Sequence, residues 1–421
     1  MLNNAKLLDP EFLDRQALDH ELTRVFEKCH DCRRCLPLCP SFPALFQAVD
    51  THEQEASQLT SAERTEVVDN CFQCKLCYNH CPYHPPHDWE IDFPKLMSRA
   101  KLVQAKEDGI PLSEKAGQQQ DLLGSMSCRT APLTNAAFRF APVRWLMEKL
   151  TGIDRRWLMP RYESKPLSRT LGRVGVAAAA SAQRAVIYGT CFVEYSEGET
   201  GRAAFDVLRH CGVAAEYFYP GCCGAPFLHG GDLEQAKSAA RKVTAALLPY
   251  VQQGIPIVVP GPTCSYQIRR EYPELLDSDE ARAVAARTYD LGEYLWMLRG
   301  EGRLPKTFVK PLGKVAYHLP CHLKAQNIGF RSQQLLKLSG AEVDRLELCS
   351  GVDGTWGMKK RWYERSLAIA DKLMKGVERS GADHVATDCP LSALRIQERT
   401  GRRAVHPVVL LRDAYGLGEK A

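Results

Sequence analysis

Long apolar runs are missing from this 421-residue chain. No stretch reaches 18 apolar positions, so none is long enough to cross a bilayer as a helix. The nearest run, residues 174–188, is alanine-rich and interrupted by Gln183 and Arg184. A strong charge imbalance is missing as well. The net charge is +5 and no basic run is extended, which argues against nucleic-acid binding. The first 20 residues alternate acidic and apolar positions without an uninterrupted apolar core, unlike an export signal. No Gly-x-Gly-x-x-Gly follows a strand pattern, and there is neither a Walker loop nor a Gly-x-Ser-x-Gly elbow, so the fingerprints of nicotinamide, flavin, nucleoside triphosphate and hydrolase sites are lacking. Otherwise the composition is that of a globular protein, 45% hydrophobic and 25% charged, with length for two to four domains.

Cysteine, by contrast, is plentiful, with 17 residues. Cys29-x2-Cys32-x2-Cys35-x3-Cys39-Pro40 is followed by Cys71-x2-Cys74-x2-Cys77-x3-Cys81-Pro82. This is the two-cluster ferredoxin spacing, in which three cysteines of one run and the fourth of the other hold one [4Fe–4S] cube. The crossed assignment puts Cys29, Cys32, Cys35 and Cys81 on one cluster and Cys71, Cys74, Cys77 and Cys39 on the other. Zinc is the competing ligand chemistry, but structural zinc sites take four ligands, usually from two Cys-x2-Cys pairs, and here a longer signature repeats. A disulfide framework fits poorly without an export signal, and a reducing cytoplasm is the expected setting.

Residues 10–28 read as an amphipathic helix carrying Phe12, Leu18, Leu22, Val25 and Phe26 into Cys29. Residues 53–70 and 92–105 read as further helices, which makes residues 1–108 a helical ferredoxin domain. Residues 109–182 form a connector in which Phe138, Phe140, Val143, Trp145, Leu146, Met147, Leu150, Trp157, Leu158 and Met159 alternate with Arg139, Arg144, Lys149, Arg155, Arg156 and Arg161. Such basic amphipathic helices either lie on an anionic membrane surface or a partner, or pack the flanking domains together.

From about residue 184 the chain repeats itself. Strand patterns at 185–188, 216–219 and 255–259 precede Cys191, Cys222-Cys223-Gly224 and Cys264, with a helix over 233–251. In the second copy, a strand at 314–317 precedes Cys321, followed by Cys349, a helix over 364–378 and the run His384-Val385-Ala386-Thr387-Asp388-Cys389. Cys191/Cys321, Cys222/Cys349 and Cys264/Cys389 are offset by 130, 127 and 125 residues. Alternating strands and helices predict two α/β domains with parallel strands, 183–300 and 301–421, with the cysteines just beyond the strand ends where such sheets bind ligands. Cys128 and Cys211 lie outside every motif and read as structural.

The stretches CRRCLPLCP, CFQCKLCYNHCP, YPGCCGAPF, PGPTCSYQIRREYPEL, YHLPCHLKAQNIG, CSGVDGTWGMKK and GADHVATDCPLSALRI resemble the heterodisulfide-reductase-related iron–sulfur subunits. The C subunits of anaerobic glycerol-3-phosphate dehydrogenases are the nearest pattern in that group, and the glycolate oxidase iron–sulfur subunit shares the layout. The resemblance implies that the Cys-Cys-Gly (CCG) domains bind a further iron–sulfur centre or carry out disulfide chemistry. In the first, Cys191, Cys222, Cys223 and Cys264 are the implied metal ligands, with zinc or buried reduced thiols as alternatives. The second departs from the pattern: Ser350 stands where the family has the second adjacent cysteine, and Cys389-x2-Ser392 where relatives often have Cys-x2-Cys. Cys321, Cys349 and Cys389 remain, either holding a centre with an open iron or marking a lost site. His318 and His322, beside Cys321, are candidates for a ligand, a proton donor or plain hydrogen-bonded residues.

The resulting expectation is an electron-transfer subunit, an oxidoreductase component without its own organic cofactor. It would relay electrons between an FAD-containing dehydrogenase and a quinone or other acceptor, in the cytoplasm or at the inner face of the cell membrane. The alternatives are a reductase of disulfides or peroxide-linked substrates acting at the CCG sites, and a docking scaffold. No catalytic residue is assigned.

Overall fold

A computed structural model describes residues 9–171 and 183–418. The apolar run at 174–188 and the end of the connector therefore lie partly outside the described residues. The chain divides into two compact units, residues 1–118 with 226–236, and residues 119–225 with 237–421.

The first unit is helical. The 3-10 turn Pro10–Leu13 leads into the helix Arg15–Cys32, which Asp14 caps by accepting from the Ala17 N–H. This helix buries Leu18, Leu22, Val25 and Phe26, and ends at Arg33 in the left-handed conformation just beyond Cys32. Residues 53–70 are not one helix. A helix over Ser41–Thr51 stops before Glu53 and Gln54, both at positive φ, and a new one runs over Ser61–Asp69. The break is set by a capping box in which Thr60 and Glu63 satisfy each other's backbone N–H groups, a Thr-x-x-Glu signal present in the sequence. The helix Phe93–Asp108 closes the bundle, its Phe93 ring 4.6 Å from that of Phe42. Cys71 belongs to this apolar core, and Cys29, Cys35, Cys39, Cys77 and Cys81 pack against it.

The second unit contains two four-stranded, wholly parallel sheets. The first comprises β1 (Arg184–Tyr188), β2 (Ala214–Phe218), β3 (Ile257–Val259) and β4 (Thr288–Asp290) in the order β2-β1-β3-β4. The second comprises β5 (Lys314–His318), β6 (Glu342–Leu346), β7 (His384–Thr387) and β8 (Ala404–Val405) in the equivalent order β6-β5-β7-β8. The sequence patterns do not announce β4, β6 or β8. β4 and β8 are 3 and 2 residues long, and β6 (EVDRL) interleaves charges that mask a strand period. The central strands β1, β3, β5 and β7 are apolar and buried on both faces, as parallel strands covered by helices require.

The connector helices Gln120–Arg129, Ala131–Ala137 and Ala141–Thr151 belong to this unit. Trp157 is buried, and Arg144 donates from its guanidinium to the carbonyls of Asp154, Arg155 and Trp157. Leu122, Leu123, Met126, Leu133, Phe140, Trp145, Leu146 and Leu150 instead stand 40–74% exposed. Among residues 122–150 the exposed charges, Arg129, Arg139 and Lys149, are all basic; the acid Glu148 is buried and paired with Arg155 and Lys360.

Candidate metal centres

The eight cysteines of the first unit fall into two groups. Cys29, Cys32, Cys35 and Cys81 line one small cavity, floored by Phe42 and Ile91. Burial pushes the Cys35 thiol up to about 11, and the neighbouring Cys81 and Cys32 add to the shift. Cys29 is raised by burial and then by Cys35, Cys81 and Cys32. Cys39 is raised by burial and then by Cys74 and Cys71, and Cys77 by burial and then by Cys74, Cys71 and Cys39. Cys29 and Cys35 thus share Cys32 and Cys81 as neighbours, and Cys39 and Cys77 share Cys71 and Cys74, with Cys35 also bearing on Cys77.

The local backbone explains the grouping. Left-handed residues at Arg33, Gln73 and Lys75 turn the chain between successive cysteines, so each Cys-x2-Cys-x2-Cys curls around one point. The fourth cysteine of each run, ahead of proline, leaves that curl for the other set. Donors then face the sulfurs: the Gln73 amide reaches Cys71 Sγ at 3.5 Å and the Tyr83 N–H reaches Cys81 Sγ at 3.4 Å. Clustered, buried thiols resist ionisation on their own. A multiply charged iron centre reverses that preference, so this donor set fits iron–sulfur clusters. Among the described residues no three His, Cys, Asp or Glu side chains converge as ligands of a single ion.

In the second unit the first cysteine-rich sheet brings Cys191, Cys222, Cys223 and Cys264 together. Cys191 opens the helix Cys191–Tyr195 beyond β1, and Cys264 sits in the helix Pro262–Tyr266 beyond β3. Cys223 and Cys264 sulfurs are 3.3 Å apart. Hydrogen bonds from Cys191 and Cys223 hold Cys222 well below the usual thiol range, while those bonds and burial raise Cys191 and Cys223. Asp121, on the connector, accepts from the Cys222 N–H at 2.9 Å and from the Tyr219 hydroxyl. Sequence reading misses Asp121, because it lies 101 residues from Cys222 with no motif around it. Gln267, one turn after Cys264, is buried with its Nε2 unpartnered among the described residues, a donor that a sulfide-rich centre would satisfy.

The second copy keeps the framework, and among the described residues no other thiol bears on Cys349 or Cys389. In each copy the side chain three residues before the first cysteine holds the carbonyl just before the second: Tyr188 donates to Gly221 at 2.6 Å, and His318 donates to Leu348 at 3.1 Å. The glycine two residues after the second cysteine is left-handed in both, Gly224 at φ +83° and Gly351 at φ +68°. A Cβ on Gly351 would stand 2.2 Å from the Ser366 carbonyl oxygen, so only glycine fits there. The buried hydroxyls of Ser350 and Ser392 bond each other at 2.9 Å. Cys349 is exposed, and the charges bearing on Cys349 and Cys389 are Asp353 and Glu197. His318 is committed to structure: burial holds it down at about 4, and both ring nitrogens are bonded. His322 bonds Thr263 at 2.9 Å and stacks on Tyr266, joining the helix Cys321–Ala325 to the helix that holds Cys264. Cys128 and Cys211 are both buried; the Cys128 thiol donates to the Tyr195 carbonyl at 3.4 Å, and Cys211 belongs to the apolar core of the first sheet.

Residues 28–86 match the 4Fe-4S dicluster domain, and residues 185–269 and 315–396 each match the Cysteine-rich domain. The C subunit of the anaerobic glycerol-3-phosphate dehydrogenase of Escherichia coli K12 is 33% identical over 300 residues, covering 70% of this chain and 75% of that protein. Lactate utilization protein A 2 of Bacillus cereus Q1 is 27% identical over 210 residues, covering 47% of this chain and 82% of the relative. Lactate utilization protein A of Bacillus pumilus is 26% identical over 215 residues, covering 48% and 86%. The dicluster domain, the doubled cysteine-rich domain and this similarity make the chain a member of the heterodisulfide-reductase-related iron–sulfur family that includes the C subunit of anaerobic glycerol-3-phosphate dehydrogenase.

Proposed function

We propose that the chain relays electrons one at a time from a flavin-dependent dehydrogenase, similar to glycerol-3-phosphate dehydrogenase, to a quinone. The sorting of eight cysteines into two crossed sets on an apolar core carries this reading. Two [4Fe–4S] clusters held by those sets supply one-electron redox chemistry, with potentials tuned by hydrogen bonds to sulfur and by burial. The chain's own part is to hold the thiolates, exclude water with Phe42, Phe93 and Ile91, and aim donors such as the Gln73 amide at the sulfurs. A further centre is assigned to Cys191, Cys222, Cys223 and Cys264. Cys321, Cys349 and Cys389 are the thinner second site, where serines have replaced two thiols.

The exposed leucine, phenylalanine and tryptophan side chains of residues 122–150, with exclusively basic exposed charges, support peripheral contact with an anionic membrane, where quinone is found. No helix among the described residues is long and apolar enough to cross one.

The test is anaerobic reconstitution followed by iron analysis, low-temperature EPR and electron transfer from a reduced flavin dehydrogenase to a water-soluble quinone. Two cubes require about eight irons per chain. Fewer than about six, or no reduced-cluster signal, overturns the reading.

A second reading is favoured by the gathering of four thiols in this site, with the Cys223 and Cys264 sulfurs 3.3 Å apart. The first cysteine-rich site would reduce a disulfide, which takes up two electrons and two protons to give two thiols. Turnover by dithionite-reduced protein, abolished in Cys222→Ala, supports it; equal turnover in that variant eliminates it.

A further inference from the structure

A cavity of about 1120 Å³ in the second unit is lined by none of the cysteines. It is walled by the connector, by the segment after Cys191 and by the second cysteine-rich domain. Thr387 and Pro390, which bracket Asp388 and Cys389, form part of that wall at the C-terminal end of β7. This is the edge at which parallel α/β sheets bind ligands.

The wall is electrically unbalanced. Five arginines, Arg139, Arg161, Arg202, Arg403 and Arg412, face three glutamates, Glu163, Glu197 and Glu199. Arg202 is paired with Glu163 at 3.2 Å. Arg403 and Arg412 both pair with Glu199, at 2.6 and 3.1 Å, and Arg412 pairs also with Asp413 at 2.9 Å. Arg139 and Arg161 have no ion-pair partner among the described residues. Both come from the connector. Ala393, Leu394 and Val405 contribute an apolar side to the same cavity.

We propose that this cavity binds an organic anion through a phosphate or carboxylate group held by Arg139 and Arg161. A guanidinium presents paired N–H donors that match the geometry of both groups, and two uncommitted guanidiniums in one cavity leave the charge an anion supplies. The apolar wall accommodates the ligand's carbon body. A bound ligand touches the segment that carries Cys389, so occupancy is felt at the second cysteine site. Two sources supply this chemistry. One is a small soluble phosphate or carboxylate. The other is an acidic phospholipid headgroup, since Ala131–Ala137, which lines the cavity, also carries the exposed Leu133.

The inference goes beyond the electron relay and needs no electron flow, so each can fail without the other. The test is calorimetric titration of the cluster-loaded full chain with inorganic phosphate, malonate, and dihexanoyl-phosphatidylglycerol below its micellar concentration. Dihexanoyl-phosphatidylcholine is the zwitterionic control. Saturable binding of at least one anion is expected, weakened ten-fold or more in Arg139→Ala/Arg161→Ala. It should be unchanged in Arg241→Ala/Lys372→Ala, which removes two exposed charges outside the cavity. Binding of phosphate or malonate assigns a soluble ligand; binding of phosphatidylglycerol alone assigns a headgroup. The proposal is overturned if no anion binds, if phosphatidylcholine binds as well as phosphatidylglycerol, or if both double variants behave alike.

Discussion

His318 Nδ1 lies 2.9 Å from the Thr387 hydroxyl, and through that pair one imidazole joins all three cysteine segments of the second copy. The Leu348 carbonyl can only accept, so the opposite nitrogen, Nε2, carries the proton and Thr387 donates to Nδ1. Thr387 Oγ1 in turn accepts from the Cys389 N–H at 3.3 Å. Cys321 follows three residues after the histidine, Cys349 one residue after Leu348, and Cys389 two after Thr387. The ring fixes the segments from behind rather than entering the site.

This arrangement gives a pH dependence. The folded-state value of about 4 lies below the ordinary 6.5 because burial disfavours the charged ring. The neutral ring's stabilisation is therefore complete above pH 6.5 and is lost as pH falls toward 4. The full shift amounts to roughly 3 kcal/mol. His318→Gln should flatten the stability profile between pH 6.5 and 4, read from urea unfolding at several pH values. A profile as steep as that of the unaltered protein would refute the assignment.

The crossed cysteine sets make opposite predictions for two prolyl-flanked positions. Cys81→Ser should perturb the cluster of Cys29, Cys32 and Cys35 while sparing the other. Cys39→Ser should do the reverse. Each variant is expected to lose about four irons, with a different component of the reduced EPR spectrum disappearing. Loss of the same component from both would show that each run closes its own cluster.

Asp121 holds the loop before the adjacent cysteines from outside the cysteine-rich sequence. Asp121→Ala leaves the Cys222 N–H and the Tyr219 hydroxyl without an acceptor and should cost about 1–3 kcal/mol. Asp121→Asn, which keeps an acceptor, should cost less. Denaturant midpoints distinguish the two, and equal values for both variants would count against the carboxylate's role.

Arg395 is fully buried. It donates to the Gly357 carbonyl at 2.8 Å and to Ser366 Oγ at 2.7 Å, and it pairs with Glu398. Ser366 Oγ passes the constraint on by donating to the Gly351 carbonyl at 2.7 Å, beside Cys349 and Ser350. Arg395→Ala leaves a buried carboxylate partner behind and should destabilise by about 3–5 kcal/mol. A loss under about 1 kcal/mol in the denaturation midpoint would contradict that network.

Several features are legible in the sequence because they are local. Cysteine spacing fixes which thiols a short chain segment can curl around a cluster, and the central strands announce themselves as short, doubly buried apolar runs. The duplicated order of strand and cysteine is readable for the same reason. The single helix expected over residues 53–70 breaks because the Thr60–Glu63 capping box outweighs the helix-favouring composition on either side of it. The edge strands β4, β6 and β8 carry too little of a period to be recognised.

Tertiary structure alone decided the rest, since those relationships join residues far apart in sequence. Asp121 meets Cys222 across 101 residues, and Thr387 meets His318 across 69. The connector's apolar residues divide into buried Trp157 and exposed Phe140, Trp145 and Leu150 only once a packing surface exists for some of them. A sequence determines which donors and acceptors it has; burial decides which must find each other, because an unpaired polar group costs little in water and a great deal away from it.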